Sequence, residues 1–273
     1  MNLKNKKILV TGGAGSIGSE LCRQLVKDNE VYIFDNNETA TFDLYEELEL
    51  KGFNVKYRIG DIRNEKTVKK VFEFNPDIVF HAAAYKHVSP MEKYPREAVE
   101  TNILGTLNVL EATKGKFILI STDKVVNSHS IMGATKRVCE LIVINKGGTA
   151  VRFGNVLGSR GSVIPLWQGS IERNEPINVT DGRMERYFMT IPEAVELVIK
   201  AGEVGKSGDI LILDMGKKVN VLDLAKKIIK ESGKDIDIKM IGIRPGETLD
   251  ERLMTTEEEK VAIKSGKFWI IKK

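Results

Sequence analysis

Asp123 and Lys124 place a carboxyl and an amine side by side, the two groups needed to give a proton to one atom and take one from another. They follow Ser121 and Thr122, whose hydroxyls can relay a proton, at the end of a short apolar run. Lys136 comes four residues after Met132, so on a helix the two share a face one turn apart. An ammonium at 136 can hold a ribose hydroxyl and lower the pKa of acids near it. Met132 cannot accept a proton. The plain alternatives are a solvated strand end for Asp123 and Lys124, and ordinary helical core for Met132.

A second motif gives this proton chemistry a direction. Val10-Thr11-Gly12-Gly13-Ala14-Gly15-Ser16-Ile17-Gly18 lies between a short strand and a helix. Gly12 suits a tight turn, Gly15 lets a pyrophosphate approach the backbone, and Gly18 lets the helix pack on the strand. Ser16 and Ile17 open a helix whose N-terminus favours an anion. Asp35 ends the second strand at the distance, about 20 residues on, where a dinucleotide site wants an acid for the ribose. Asp35-Asn36-Asn37-Glu38 has no arginine beside it and would repel a 2′-phosphate, so NAD is expected, with NADP left open. Asp61 and Ile62, after the third strand, can face the adenine. Ala82 and Ala83, after the fourth, are small enough for a dinucleotide to lie against them. A turn or cap is the plain alternative for Asp35 and Asp61. In nicotinamide dehydrogenases of this kind a tyrosine stands one helical turn before the lysine. Here that place is Met132.

These residues require a scaffold of alternating strands and helices. Strands are expected at Lys7 to Val10, Val31 to Phe34, Val55 to Ile59, Ile78 to Phe80, Phe117 to Ser121 and Ala150 to Phe153. Amphipathic helices are expected at Ile17 to Lys27, Thr39 to Leu50, Glu65 to Phe74, Arg96 to Thr113 and Met132 to Asn145. The pattern is α/β, a doubly wound parallel Rossmann sheet over residues 1–153. After Phe153, Gly154, Gly158, Gly161, Pro165, Pro176, Gly182 and Pro192 break the chain into short pieces. A small C-terminal α/β substrate-binding lobe is expected over 154–273, interleaved with the first part or beside it. Its helices would run from Glu193 to Ala201 and Leu222 to Glu231, and its strands from Ile210 to Asp214 and near Ile236 to Ile241. Apolar Phe268-Trp269-Ile270-Ile271 is expected to pack on the body or on a neighbour.

The bulk composition excludes several classes. With 273 residues, 42% hydrophobic and 29% charged, the chain can bury a large core and is not a disordered sequence. The net charge of +4 comes from mixed charges, with no basic patch interleaved with aromatics, so no nucleic-acid partner is expected. Cys22 and Cys139 read as small packing residues. The three histidines make no ligand spacing, so no metal is expected. Met1 to Lys7 is polar and lacks the apolar stretch of a signal peptide, and no run approaches a membrane span, so a cytoplasmic setting is expected.

The motifs together resemble the extended short-chain dehydrogenase/reductases, and among them the UDP-N-acetylglucosamine 4,6-dehydratases of polysaccharide synthesis. The resemblance is carried by His81-Ala-Ala-Ala-Tyr-Lys-His87, Ser121-Thr-Asp-Lys-Val-Val-Asn127 and Met132-Gly-Ala-Thr-Lys-Arg137. It continues through Arg152-Phe-Gly-Asn-Val-Leu-Gly-Ser-Arg-Gly-Ser162, Arg186-Tyr-Phe-Met-Thr190 and Arg244-Pro-Gly-Glu247, and so spans nearly the whole chain. It implies oxidation at C4 of a UDP-sugar, loss of water across C5 and C6, and return of hydride to C6.

By resemblance Asp123 is the acid for the C6 oxygen and Lys124 the base at C5, which would need a protonated carboxyl and a neutral amine near pH 7. Lys136 would bind the nicotinamide ribose, and Thr122 or Ser121 would relay the O4 proton. Asn155, Arg160, Ser162, Arg186, Arg244 and Glu247 match positions around the nucleotide and diphosphate, with a surface ion pair as the plain alternative for each arginine. Lys86 and His87 would border the sugar, with a structural role the plain alternative for His87, and Asn102 would hold geometry near the cofactor. A UDP-sugar 4-epimerase is the nearest alternative, and a non-catalytic nucleotide-sugar binding module the next. The resemblance also implies a homo-oligomer.

Overall fold

In the computed structural model, which describes residues 3–272, six parallel strands run from one edge of a nine-stranded sheet. They are β1 (Lys7–Thr11), β2 (Glu30–Asp35), β3 (Val55–Ile59), β4 (Ile78–His81), β5 (Lys116–Ile120) and β6 (Thr149–Arg152). Their order is β3-β2-β1-β4-β5-β6, with the reversal between β1 and β4. That reversal opens a crevice at the carboxyl ends of the strands, where ligands bind in such sheets. β4 is buried along its whole length and β1 after its first residue, because helices cover both faces. Two apolar cores result, one built around Ile8, Leu21 and Phe80 and the other around Leu9, Val79 and Leu119.

Three strands from beyond residue 154 join the same sheet. Ile210–Leu213 pairs parallel with β6; Phe268–Ile271 then pairs antiparallel with it, and Ile263–Ser265 forms the edge. The apolar C-terminal run is therefore a sheet strand. A separate small core of Trp167, Ile171, Ile177, Val179, Met184, Val221 and Ala225 lies between the helices Val163–Glu172 and Val221–Ser232.

Two departures from the sequence expectation have local causes. The helix Val163–Glu172 was not expected, because Pro165 reads as a break. Pro165 is the third residue of that helix, where the backbone N–H has no partner inside the helix in any case. The stretch Arg96 to Thr113 is helical in pieces: Pro95–Ala98, a π-helical turn Val99–Leu104, then Gly105–Ala112. The π turn carries Asn102, whose buried amide accepts from Tyr85 N at 2.8 Å and donates to Tyr85 O at 3.1 Å and Thr135 Oγ1 at 3.0 Å. An extra residue in the turn thus places one side chain to clamp the segment leaving β4.

Candidate active site

The ends of the central strands open into one cavity of about 1070 Å³. Gly12, Gly15, Ser16, Ile17, Gly18 and Ala82 line one side, and Thr122, Asp123, Lys124, Met132 and Lys136 the floor. Lys86, Asn155, Arg160, Ser162, Arg186, Arg244 and Glu247 line the rest. Asp35, Asp61, Ile62 and Ala83 fall outside this lining.

The glycine loop fits a dinucleotide. Gly12 has φ +64°, and a Cβ there would lie 2.5 Å from Ala83 N, so the loop packs directly on the chain leaving β4. A Cβ on Gly18 would lie 2.0 Å from Gly12 O, which only glycine avoids. A Cβ on Gly15 would meet only Gly12 O, at 3.2 Å, so the rest of its surface is open for a phosphate to approach. Asp35 accepts from Ala14 N at 3.0 Å and Asn37 N at 2.9 Å, tying the loop to the end of β2. Asp61 makes the contacts of a turn residue: it accepts from Arg63 N at 2.8 Å and pairs with the Arg63 guanidinium at 2.7 Å. Ile62 is buried in the core, where a Cβ on Gly105 would touch it at 2.6 Å.

At the tip of β5 the chain enters a short 3-10 turn, Asp123–Val125, capped by Thr122. Asp123 is 1% exposed, fixed by its N–H to Phe153 O at 3.0 Å. Its Oδ1 accepts from Thr122 Oγ1 at 2.9 Å and Lys124 Nζ at 3.0 Å. Its Oδ2 is buried with no donor, over Gly154, where a Cβ would approach it to 3.1 Å. Burial, countered by Lys124 and reinforced by Glu251, pushes the Asp123 carboxyl up to about 6.

Glu251 was not foreseen in the sequence. Its Oε1 lies 3.1 Å from Lys124 Nζ, so Lys124 bridges two carboxylates. Burial alone would push the Lys124 pKa down, but Asp123 and Glu251 outweigh it and hold the ammonium form. This runs opposite to the neutral amine expected of a base. For Glu251 the upward push of burial is outweighed by Lys124 and Arg186, which hold it below the usual carboxylate range. Glu251 lies in an irregular segment with no periodic pattern; the only available signal was its place shortly after Arg244-Pro-Gly-Glu247.

Arg186 also differs from expectation. Its guanidinium donates to Glu185 O at 2.8 Å, Leu249 O at 2.9 Å and Thr248 O at 2.5 Å, and its Nε lies 3.1 Å from Glu251 Oε2. These partners occupy the fork that a diphosphate would need, so Arg186 anchors Glu251 here. Arg244 and Glu247 likewise pair with each other, at 2.5 Å. Arg160 is exposed, and among the described residues its side chain forms no ion pair; its N–H donates to Ser16 Oγ at 3.0 Å, joining the lobe to the glycine-loop helix. Ser162 heads the helix Val163–Glu172 with a buried hydroxyl that has no partner. Lys86 Nζ reaches Ser159 Oγ at 3.3 Å, and partial burial and Lys124 lower its pKa. His87 packs over Gly161, where a Cβ would lie 2.8 Å from its ring.

Lys136 is buried and donates to Ile120 O at 2.7 Å, with its pKa pushed down by burial. Met132 is 2% exposed and packs with Met91 and Ala98 while lining the cavity. Ser121 donates at 2.6 Å to Glu140, which also takes Arg152 Nε and Nη2 at 2.9 and 2.8 Å. Arg152 in turn donates to both oxygens of Glu258, at 2.8 and 2.9 Å. His81 is buried between Thr11 and Thr106, and burial, with Lys136 adding to it, lowers its pKa to about 3, so it is a neutral structural residue. Cys22 and Cys139 are free and buried. Among the described residues no helix is long and apolar enough to cross a membrane.

A family profile described as "Polysaccharide biosynthesis protein" matches residues 8–273. The chain belongs to this family, within the extended short-chain dehydrogenase/reductases. Among curated members, the capsular polysaccharide biosynthesis protein CapD of Staphylococcus aureus is 48% identical over 94% of this chain and 46% of its own length. The chain thus spans about half of that relative. A UDP-glucose 4-epimerase of Rickettsia felis is 35% identical over 98% of this chain and 83% of its own. Among solved structures, Pen from Bacillus thuringiensis superposes with a TM-score of 0.95 at 39% identity, covering 100% of this chain and 89% of that one.

Proposed function

We propose that the protein is an NAD-dependent UDP-N-acetylglucosamine 4,6-dehydratase. The observation that carries this reading is Asp123 and Lys124 in contact at 3.0 Å, on the floor of the cavity that the glycine loop and Lys136 also line. The loop from Gly12 to Gly18 would hold the pyrophosphate of NAD, whose nicotinamide would supply a hydride acceptor for C4 and a hydride donor for C6. Asp35, with no arginine in the loop that follows it, favours NAD over NADP. Lys136 orients the ribose.

Thr122 takes the O4 proton and passes it through its 2.9 Å contact to Asp123, which removes the need for a phenol at position 132. Asp123, now a carboxylic acid, protonates the departing C6 oxygen. Lys124 removes the proton at C5, which the 4-ketone has made acidic. Arg160, with a guanidinium not engaged in an ion pair, and Ser162, with an orphaned hydroxyl, suit the diphosphate.

The likeness to the Rickettsia epimerase keeps a UDP-sugar 4-epimerase as the second reading. Incubation with UDP-N-acetylglucosamine in deuterated water separates the two. A product lighter by one water, with deuterium at C5, supports dehydration; an isomer carrying neither change overturns it.

A further inference from the structure

A proton count through that reaction leaves one proton without a place. At rest Lys124 is an ammonium between two carboxylates. Oxidation at C4 delivers the O4 proton to Asp123. Elimination then requires Lys124 to accept the C5 proton, so it must first lose its own. The acceptors on Lys124 Nζ are Asp123 Oδ1 at 3.0 Å, Asn155 Oδ1 at 3.4 Å and Glu251 Oε1 at 3.1 Å. Asp123 is then already protonated, and an amide oxygen is too weak a base to hold a proton. Glu251 remains.

We propose that Glu251 is the proton store of the site: it takes the ammonium proton of Lys124 while Lys124 works as the base at C5, and returns it at the end of turnover. This inference rests on the dehydratase reading. The balance closes. The Lys124 N–H bond breaks as a Glu251 O–H bond forms, and the amine takes the C5 proton. Asp123 loses its proton with the leaving water, and Lys124 gives its proton back to C5. Glu251 then restores the ammonium.

The structure also supplies a trigger. Asp123 and Glu251 together hold the Lys124 ammonium, so protonating Asp123 removes one of the two anions and loosens the proton. The other charged groups facing the cluster are Arg186, which keeps Glu251 in place at 3.1 Å, and Lys86, whose charge disfavours a second ammonium nearby. Arg186 makes Glu251 a reluctant acceptor, so the store fills only once Asp123 is neutral. In this role Glu251 is a positioning residue acting through Lys124.

The holoenzyme carrying Glu251→Gln tests this in deuterated water with UDP-N-acetylglucosamine. Reduced nicotinamide is expected to accumulate while deuterium entry at C5 falls about 100-fold. Glu251→Asp keeps an acceptor and is expected to exchange C5 at least about tenfold faster than the Gln variant. Equal loss in both, or wild-type exchange in the Gln variant, overturns the store while leaving the dehydratase reading intact. Absence of water loss in the unchanged protein overturns that reading and the store with it. A readout free of turnover is the nitrogen NMR titration of Lys124: Asp123→Asn must lower its midpoint, and an unmoved midpoint removes the trigger and the proposal.

Discussion

The hydroxyl of Thr122 donates to Asp123 Oδ1 at 2.9 Å, and this contact separates it from its neighbour Ser121, whose hydroxyl is bound to Glu140 at 2.6 Å. Of the two hydroxyls at the strand tip, only Thr122 is connected to Asp123, the acid of the proposed reaction. Thr122→Val is therefore expected to lower kcat by about 100-fold and, since it too loses a hydrogen bond to a carboxylate, to cost about 1.5–3 kcal/mol of stability. Ser121→Ala is expected to cost about 1.5–3 kcal/mol of stability, the usual value of a hydrogen bond to a charged group, with kcat within a few-fold. Turnover and thermal melting of the two variants check both; the reverse pattern would move the relay to Ser121.

The pH dependence follows from Asp123. Its carboxyl titrates near 6 in the folded site, and it must be ionised to receive the O4 proton, so kcat/KM is expected to fall as pH drops below about 6. The stability consequence has a definite sign. The folded value lies above the unfolded one, so the folded state holds its proton more tightly. Stability from this group is complete below about pH 4 and is lost as pH rises through about 6. At about 1.36 kcal/mol per unit the loss is on the order of 3 kcal/mol. Asp123→Asn should thus be inactive, yet gain stability over wild type as pH rises from 4 to 7 in denaturant titrations. A difference that does not vary with pH would contradict the assignment.

Two of the cavity arginines, Arg160 and Arg186, are expected to separate in kinetics. Arg160→Ala should raise KM for the UDP-sugar about tenfold or more with kcat little changed, because its fork is not tied up in an ion pair. Arg186→Lys should lower kcat more than it raises KM, because it loses the planar donors that fix Thr248, Leu249 and Glu251. Steady-state kinetics on the two variants decide the matter.

Gly15→Ala tests the cofactor loop without dismantling it. The added methyl meets only Gly12 O, so stability should change by no more than about 1 kcal/mol, while binding of added NAD, followed by calorimetric titration, should be lost. Full retention of binding would show that no phosphate approaches Gly15.

The scaffold was legible because its inner strands β1, β4, β5 and β6 are apolar on both faces, the edge strand β3 alternates, and the helices between them are amphipathic, patterns that short windows of sequence record. Val55–Ile59 has the same bounds by either route. The glycine loop, Asp35 and Asp123-Lys124 were legible because chemistry and position coincide in a few residues. Glu251 was not, because its meaning depends on a lysine brought to it by a different strand end. The protonation of Lys124 was hidden for the same reason. Arg186 and Arg244 could be placed at the cavity, but their partners, backbone carbonyls in one case and Glu247 in the other, are properties of the folded loop. Pro165 misled because its effect depends on where the helix starts.

Arg152 has a consequence for how the chain comes to fold. It lies fully buried at the end of β6, with one counter-ion, Glu140, made before it and the other, Glu258, made more than a hundred residues after it. A nascent chain that has emerged only to residue 153 leaves Arg152 and Arg137 sharing the single carboxylate of Glu140, one acid for two guanidiniums, a state that resists drying of the interior. The first six strands therefore complete their core late, once the C-terminal segment arrives with its acid. That same segment carries Glu251, so the arrival that completes the ion-pair cluster around Arg152 also equips the site. A fragment ended near residue 153 should remain open and bind hydrophobic dyes, whereas supplying residues 154–273 as a second chain should close it.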